Sequence, residues 1–120
     1  MGNVLIVDDE AAIGACLAKL IARLGHQTVT ALNASETFAK LDSEEIHLII
    51  ADILLPDTPE PCEWIRQLCA KAAGRPVVLI SGAPSNEISE YATANGVLAF
   101  LSKPFELAFI KNILKAVFGK

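Results

Sequence analysis

Cysteine is scarce in this chain, and what there is does not pair. Cys16, Cys62 and Cys69 are the only three in 120 residues. No two form a C-x-x-C pair, and an odd number in so small a chain argues against a disulfide framework and for a reducing, cytoplasmic setting. Basic runs are missing as well. Ten Lys and Arg against fourteen Asp and Glu give a formal charge of -4, and no cluster could track a phosphate backbone, so direct nucleic-acid contact is not expected. Charges or turn residues interrupt every apolar stretch short of the ~18 residues a membrane span needs, so no membrane association is expected. The opening Met1-Gly2-Asn3 lacks a basic n-region and a long apolar run, so no signal peptide is expected, and Ile6 is wrong for myristoylation. No linker, low-complexity segment or internal repeat beyond a β/α alternation is present. With 52% apolar side chains, the expectation is one packed domain over 1–120.

What is there alternates. Short β-branched and aliphatic runs at 4–7, 28–31, 48–51, 77–80 and 97–101 predict five strands. The first, third and fourth are apolar on both faces, as parallel strands covered by helices on each side must be. Thr28 and Thr30 mark the second as an edge. Periodic segments at 11–24, 35–41, 61–73, 86–94 and 106–118 predict five helices between and after them. Ile13, Leu17, Leu20, Ile21 and Leu24 form one apolar stripe, stopped by Gly25. Phe109, Ile110, Ile113, Leu114 and Val117 form another. Asn33 with Glu36 reads as a capping box, and Pro61 suits a first helical position. The fold class is therefore α/β: a (βα)5 doubly wound parallel sheet, flavodoxin-like, with strand order 2-1-3-4-5.

In such a sheet, chemistry belongs at the carboxyl ends of the strands. Asp8 and Asp9 follow the first strand, Asp52 ends the third, Ser81 ends the fourth, and Lys103 follows the fifth. The strand order brings all of these exits to one crevice. Three carboxylates together repel, and a hard divalent cation with oxygen ligands relieves them, Mg2+ being the natural choice because it commonly joins one or two carboxylates to a phosphate. Lys103 and Ser81 could then neutralise and hydrogen-bond further phosphoryl oxygens. Taken singly, each residue has a plainer reading: an acidic pair at a helix N-terminus, a turn aspartate, a solvated lysine. The set together favours a phosphoryl site.

At these residues the chain resembles the receiver domain of bacterial two-component response regulators, over essentially its whole length. The resemblance is carried by Val4-Leu5-Ile6-Val7-Asp8-Asp9-Glu10, Asp52-Ile53-Leu54-Leu55-Pro56, Ser81-Gly82-Ala83 and Ser102-Lys103-Pro104-Phe105. It implies that Asp52 is the phosphoacceptor and that a sensor histidine kinase or histidine phosphotransfer protein supplies the phosphoryl group. It further implies Mg2+ held by Asp9 directly, by Asp8 largely through water, by Asp52 and by the backbone carbonyl of Leu54, with Lys103 paired to the phosphate. Ser81 and Phe100 would be the switch residues, presenting the surface of the fourth helix, fifth strand and fifth helix to a downstream protein or a fused output domain. The protein would be a signalling domain rather than an enzyme, catalysing only its own phosphoryl transfer and dephosphorylation.

The pattern departs from the family in one place. The glycine usual four residues past Pro56 is absent, and Asp57-Thr58-Pro59-Glu60-Pro61 predicts a stiffer, differently shaped loop. Leu54 and Ala83 hold positions that tune water access in the family, and Leu54 is expected to shield an acyl phosphate; Gly82 leaves donor access open. His26 and His47 read as surface or half-buried turn residues, and the three cysteines as small core residues or inert thiols. Trp64 reads equally as a core-edge residue or a contact point. The alternative function is a degenerate receiver that binds partners without phosphorylation, against which the complete acidic and lysine set speaks. A flavodoxin-like cofactor binder lacks its phosphate-cradling loop after the first strand, and a haloacid-dehalogenase-like phosphatase lacks its D-x-D.

Overall fold

The computed structural model describes residues 2–58, 60–82 and 85–119. Ten elements alternate: β1 (Asn3–Val7), α1 (Ala11–Arg23), β2 (Gln27–Ala31), α2 (Ala34–Ser43), β3 (Leu48–Asp52), α3 (Pro61–Ala72), β4 (Val77–Ser81), α4 (Asn86–Ala94), β5 (Ala99–Ser102) and α5 (Leu107–Phe118). The strands form one parallel sheet in the order β2-β1-β3-β4-β5. The doubly wound fold and its strand order are those expected, and the threonine-bearing β2 is an edge.

Successive strand side chains point to opposite faces, and the sequence uses both. Leu5, Val7, Ile49, Ala51 and Leu79 face one core with Leu41 of α2, Trp64, Ile65 and Leu68 of α3 and Ala92 of α4. Val4, Ile6, Leu48, Ile50, Val78 and Ile80 face the other with Leu17 and Ile21 of α1 and Ile110 and Leu114 of α5. β3 and β4 are buried at every position, and each fully buried Leu or Ile there contributes about 1.5–3 kcal/mol of hydrophobic stabilisation. The two central strands thereby become a rigid platform whose carboxyl ends hold polar residues in place.

Helix ends follow local chemistry. Asn33 Oδ1 accepts from Glu36 N at 2.8 Å, and the Glu36 carboxylate reaches back to Leu32 N at 3.1 Å, so the capping box closes one residue upstream of the expected partner. Pro61 opens α3, while the Glu60 carboxylate accepts from the amides of Cys62 and Glu63. Gly25, at φ +94°, follows the end of α1 and supplies the left-handed turn that side chains disfavour.

Several expectations need correction. β5 begins at Ala99 rather than residue 97, because Gly96 turns with φ +85° and Leu98 N only then joins the sheet, donating to Val77 O at 2.8 Å. The apolar stripes are narrower than their periodicity implies, since Leu24 caps α1 and is exposed and Phe109 of α5 is half exposed. Cys16 is an exposed thiol rather than a small core residue. Cys62 and Cys69 are half-buried, and burial pushes both thiols above their ordinary range, which fits inert groups. His26 is buried, not a surface turn residue: Gly2 N donates to its Nδ1 at 3.2 Å and its ring stacks on Phe118 with centroids 4.6 Å apart.

Candidate functional site

The crevice forms because β1 ends at Val7, paired with Ala51, and β3 one residue later at Asp52, so that Asp8 and Asp52 stand side by side at the strand exits. Beyond Val7, Asp8 N still donates to Ala31 O of β2 at 3.1 Å, and Asp8 Oδ1 accepts from Glu10 N at 2.9 Å. That turn buries Asp8, 3% exposed, and leaves Asp9 facing solvent. Asp52 closes β3 with 5% exposure, and its Oδ1 accepts from Leu54 N at 2.9 Å. The fifth strand delivers Lys103, whose amide donates to Ser81 O at 2.8 Å and so fixes the lysine backbone to the end of β4. The peptide between Lys103 and Pro104 is cis.

From there the Lys103 ammonium reaches across the crevice. Its Nζ donates to Asp52 Oδ2 at 2.7 Å and Asp8 Oδ2 at 3.2 Å, and lies 3.5 Å from Glu10 Oε1. Carboxylate oxygens of Asp8, Asp9 and Asp52 all fall within 4.8 Å of one another. Asp8 and Asp52 therefore share one ammonium, with Glu10 at its edge and the Asp9 carboxylate beside theirs. Burial pushes the Asp8 carboxyl above its usual range and the Asp52 charge adds to this, against the pull of Glu10 N and Lys103. For Lys103 burial works to lower the pKa, but the hydrogen bonds and charges of Asp52 and Asp8 outweigh it and hold the ammonium above its ordinary value. Lys103 is a fixed positive charge at any physiological pH.

This donor set fits a hard cation. All available ligand atoms are oxygens, they carry excess negative charge, and one acid is open to solvent, which leaves room for retained waters.

The other expected residues are arranged around this centre. Ser81 is fully buried at the end of β4, in register with Ser102. Phe100 is half-buried in β5, in register with Leu79, and packs against the core shared with α2, α3 and α4. The Leu54 side chain is 50% exposed over the turn. Among the described residues, a Cβ at Gly82 would meet only Lys103 Cδ, at 4.0 Å. Ala83 and Pro59 lie outside the described residues. The glycine-free loop is tied to the neighbouring helix: the Asp57 carboxylate accepts from Ala34 N at 2.9 Å and Ser35 N at 3.1 Å, capping α2 from 23 and 22 residues away.

Three contributors were not assigned a part in the site by sequence. Glu10 adds charge beside Lys103, Asp57 anchors the loop, and Trp64 donates its indole N–H to the backbone carbonyl of Asp52 at 3.0 Å. Only the last had a hint: a buried tryptophan needs an acceptor for its N–H.

The family model for the response regulator receiver domain matches residues 4–115. Among characterised relatives, the alkaline phosphatase synthesis transcriptional regulatory protein PhoP of Bacillus subtilis is 27% identical over 117 residues, covering 96% of this chain and 48% of that protein. The DNA-binding transcriptional regulator NtrC of Azospirillum brasilense is 27% identical over 113 residues, covering 94% of this chain and 23% of that one. This chain thus spans between about a quarter and a half of the relatives it matches. Among solved structures, a CheY-like response regulator receiver domain protein from Methanospirillum hungatei superposes with a TM-score of 0.88 at 27% identity, over 99% of this chain and 95% of that one. Sequence, topology and the placement of the acids agree: the chain belongs to the response regulator receiver domain family of two-component signalling.

Proposed function

We propose that residues 1–120 act as a single phosphoacceptor domain, modified on Asp52 and dependent on Mg2+. The observation that carries this reading is the clustering of the Asp8, Asp9 and Asp52 carboxylates, two of which, Asp8 and Asp52, accept from the ammonium of Lys103. A carboxylate oxygen of Asp52 attacks the phosphorus of a phosphohistidine, a P–O bond forms, and the P–N bond breaks with its electron pair leaving on the imidazole, which takes up a proton. Asp52 is suited to this because β3 fixes its backbone and Leu54 N fixes its Oδ1, so the nucleophile is already placed. Lys103, charged throughout, attracts the incoming dianion and balances the charge it brings. Asp8, Asp9, Asp52 and the Leu54 carbonyl would hold Mg2+, which when bound supplies charge neutralisation and orientation for phosphoryl oxygens.

The donor would be a sensor histidine kinase or a histidine phosphotransfer protein, and the receiver of the signal a downstream protein or a fused output domain. Ser81 and Phe100 would transmit the change, which adds about -1.5 to -2 charge units where Lys103 already lies. We place this exchange in the cytoplasm; among the described residues no helix is long and apolar enough to cross a membrane. The test is direct. Incubation with acetyl phosphate and Mg2+ should add one phosphate to the intact mass, and Asp52→Asn or chelation should abolish it. Undiminished labelling of Asp52→Asn would remove this reading and leave a partner-binding module.

A further inference from the structure

The chain has one tryptophan, and it is attached to the residue on which the proposed chemistry depends. Trp64, in α3, is 1% exposed and its Nε1 donates to the main-chain carbonyl of Asp52 at 3.0 Å. Phe38 of α2 meets the indole edge-on, with centroids 5.7 Å apart at 60°, which restrains the ring.

The bond fills a gap in the sheet. The last register pair between β1 and β3 is Val7 with Ala51. Ile53 N donates towards β4, to Ile80 O at 3.1 Å, so the Asp52 carbonyl, on the alternate side of the strand, points to where β1 has already turned away into Asp8. A side chain from a helix takes the acceptor that a strand would otherwise have paired. All three oxygens of Asp52 are thus engaged by different parts of the fold: Oδ1 by Leu54 N, Oδ2 by Lys103, and the carbonyl by Trp64. The first two hold the side chain, and the third holds the peptide from which it projects and from which the Leu54 turn begins.

We propose that Trp64 is a positioning residue for phosphoryl transfer to Asp52, its indole N–H fixing the Asp52–Ile53 peptide so that the carboxylate and the following turn keep their geometry. This rests on the reading of Asp52 as the phosphoacceptor. Packing alone would ask only for a large apolar ring at this place; the positioning role asks for the N–H.

Two substitutions separate these. Trp64→Phe removes the N–H and some volume, and replacement of the indole by benzothienylalanine, a sulfur isostere incorporated at the sole tryptophan codon, removes the N–H and keeps the shape. Labelling by acetyl phosphate with Mg2+ is followed by intact mass, on samples whose folded fraction is set equal from urea unfolding. Both proteins should label more slowly, by about tenfold, while 7-azatryptophan, which keeps the N–H, should label at the parental rate. A sulfur isostere that labels as fast as the parent overturns the proposal, and so does slow labelling of the 7-azatryptophan protein. The unsubstituted protein gives an independent reading: its single indole N–H resonance should move when beryllofluoride and Mg2+ are added, and a stationary resonance also overturns the proposal. If the parent itself takes no phosphate, it is the phosphoacceptor reading that fails.

Discussion

At the scale of single residues, burial sets which groups carry the chemistry and which carry the pH dependence. His26 illustrates the second. Burial lowers its pKa below the ordinary 6.5, with the positive amino terminus adding to the effect, and its Nδ1 must stay unprotonated to accept from Gly2 N. The folded molecule therefore binds fewer protons than the unfolded chain between the depressed value and 6.5. Stability from this group is fully present above about pH 6.5 and declines as the pH falls from there through the depressed value. Urea unfolding measured from pH 8 to pH 5 should show this decline in the parent, and His26→Gln should flatten it. Equal slopes in the two proteins would show that His26 does not titrate with folding. Lys103 contributes nothing to the pH dependence in this window, since its partners hold it charged throughout.

Among the elements, the loop between β3 and α3 differs most from the family's habit, and α2 is what it holds. Helix N-termini leave backbone amides without partners, and α2 has two devices for them: Asn33 takes Glu36 N, and Asp57 takes the amides of Ala34 and Ser35. Asp57→Ala should destabilise the protein by about 1 kcal/mol, within the usual range for loss of a helix cap, read as a lower urea midpoint with unchanged slope. An unchanged midpoint would mean that water replaces the carboxylate without loss. The same comparison shows what sequence could reveal. Asn33 and Pro61 announce helix starts because their partners lie within a few residues. Asp57 reads only as a turn residue, because the amides it caps lie 22 and 23 positions away. Strand boundaries were clear where apolar runs are buried on both faces, as in β3 and β4. They failed at β5, where Val97 and Leu98 continue the pattern but Gly96 has not yet let the chain into the sheet.

For the molecule as a whole, the acidic site is a stored repulsion that a cation should relieve. A ligand that binds only the folded state stabilises it by RT ln(1 + [L]/Kd), about 2.7 kcal/mol at a hundredfold excess over Kd, or on the order of 10 °C in Tm for a domain of this size. Mg2+ should therefore raise the melting temperature, EDTA should reverse the rise, and Asp9→Ala should remove most of it at little cost to the core, since Asp9 is exposed. A melting temperature indifferent to Mg2+ would argue against a metal at this cluster. The crevice was legible because fold and chemistry were read together: strand order places the exits side by side, and Asp8, Asp52, Ser81 and Lys103 occupy them. Trp64 was not legible as part of the site, because its role comes from one contact between a helix side chain and a strand carbonyl, which no periodicity encodes.

The opposite end of the sheet carries a practical consequence. A Cβ at Gly2 would overlap the ring of Phe118, the same ring that stacks on His26. Even an alanine at this position would displace the ring that covers His26, so material for any of these measurements should keep Gly2 unaltered.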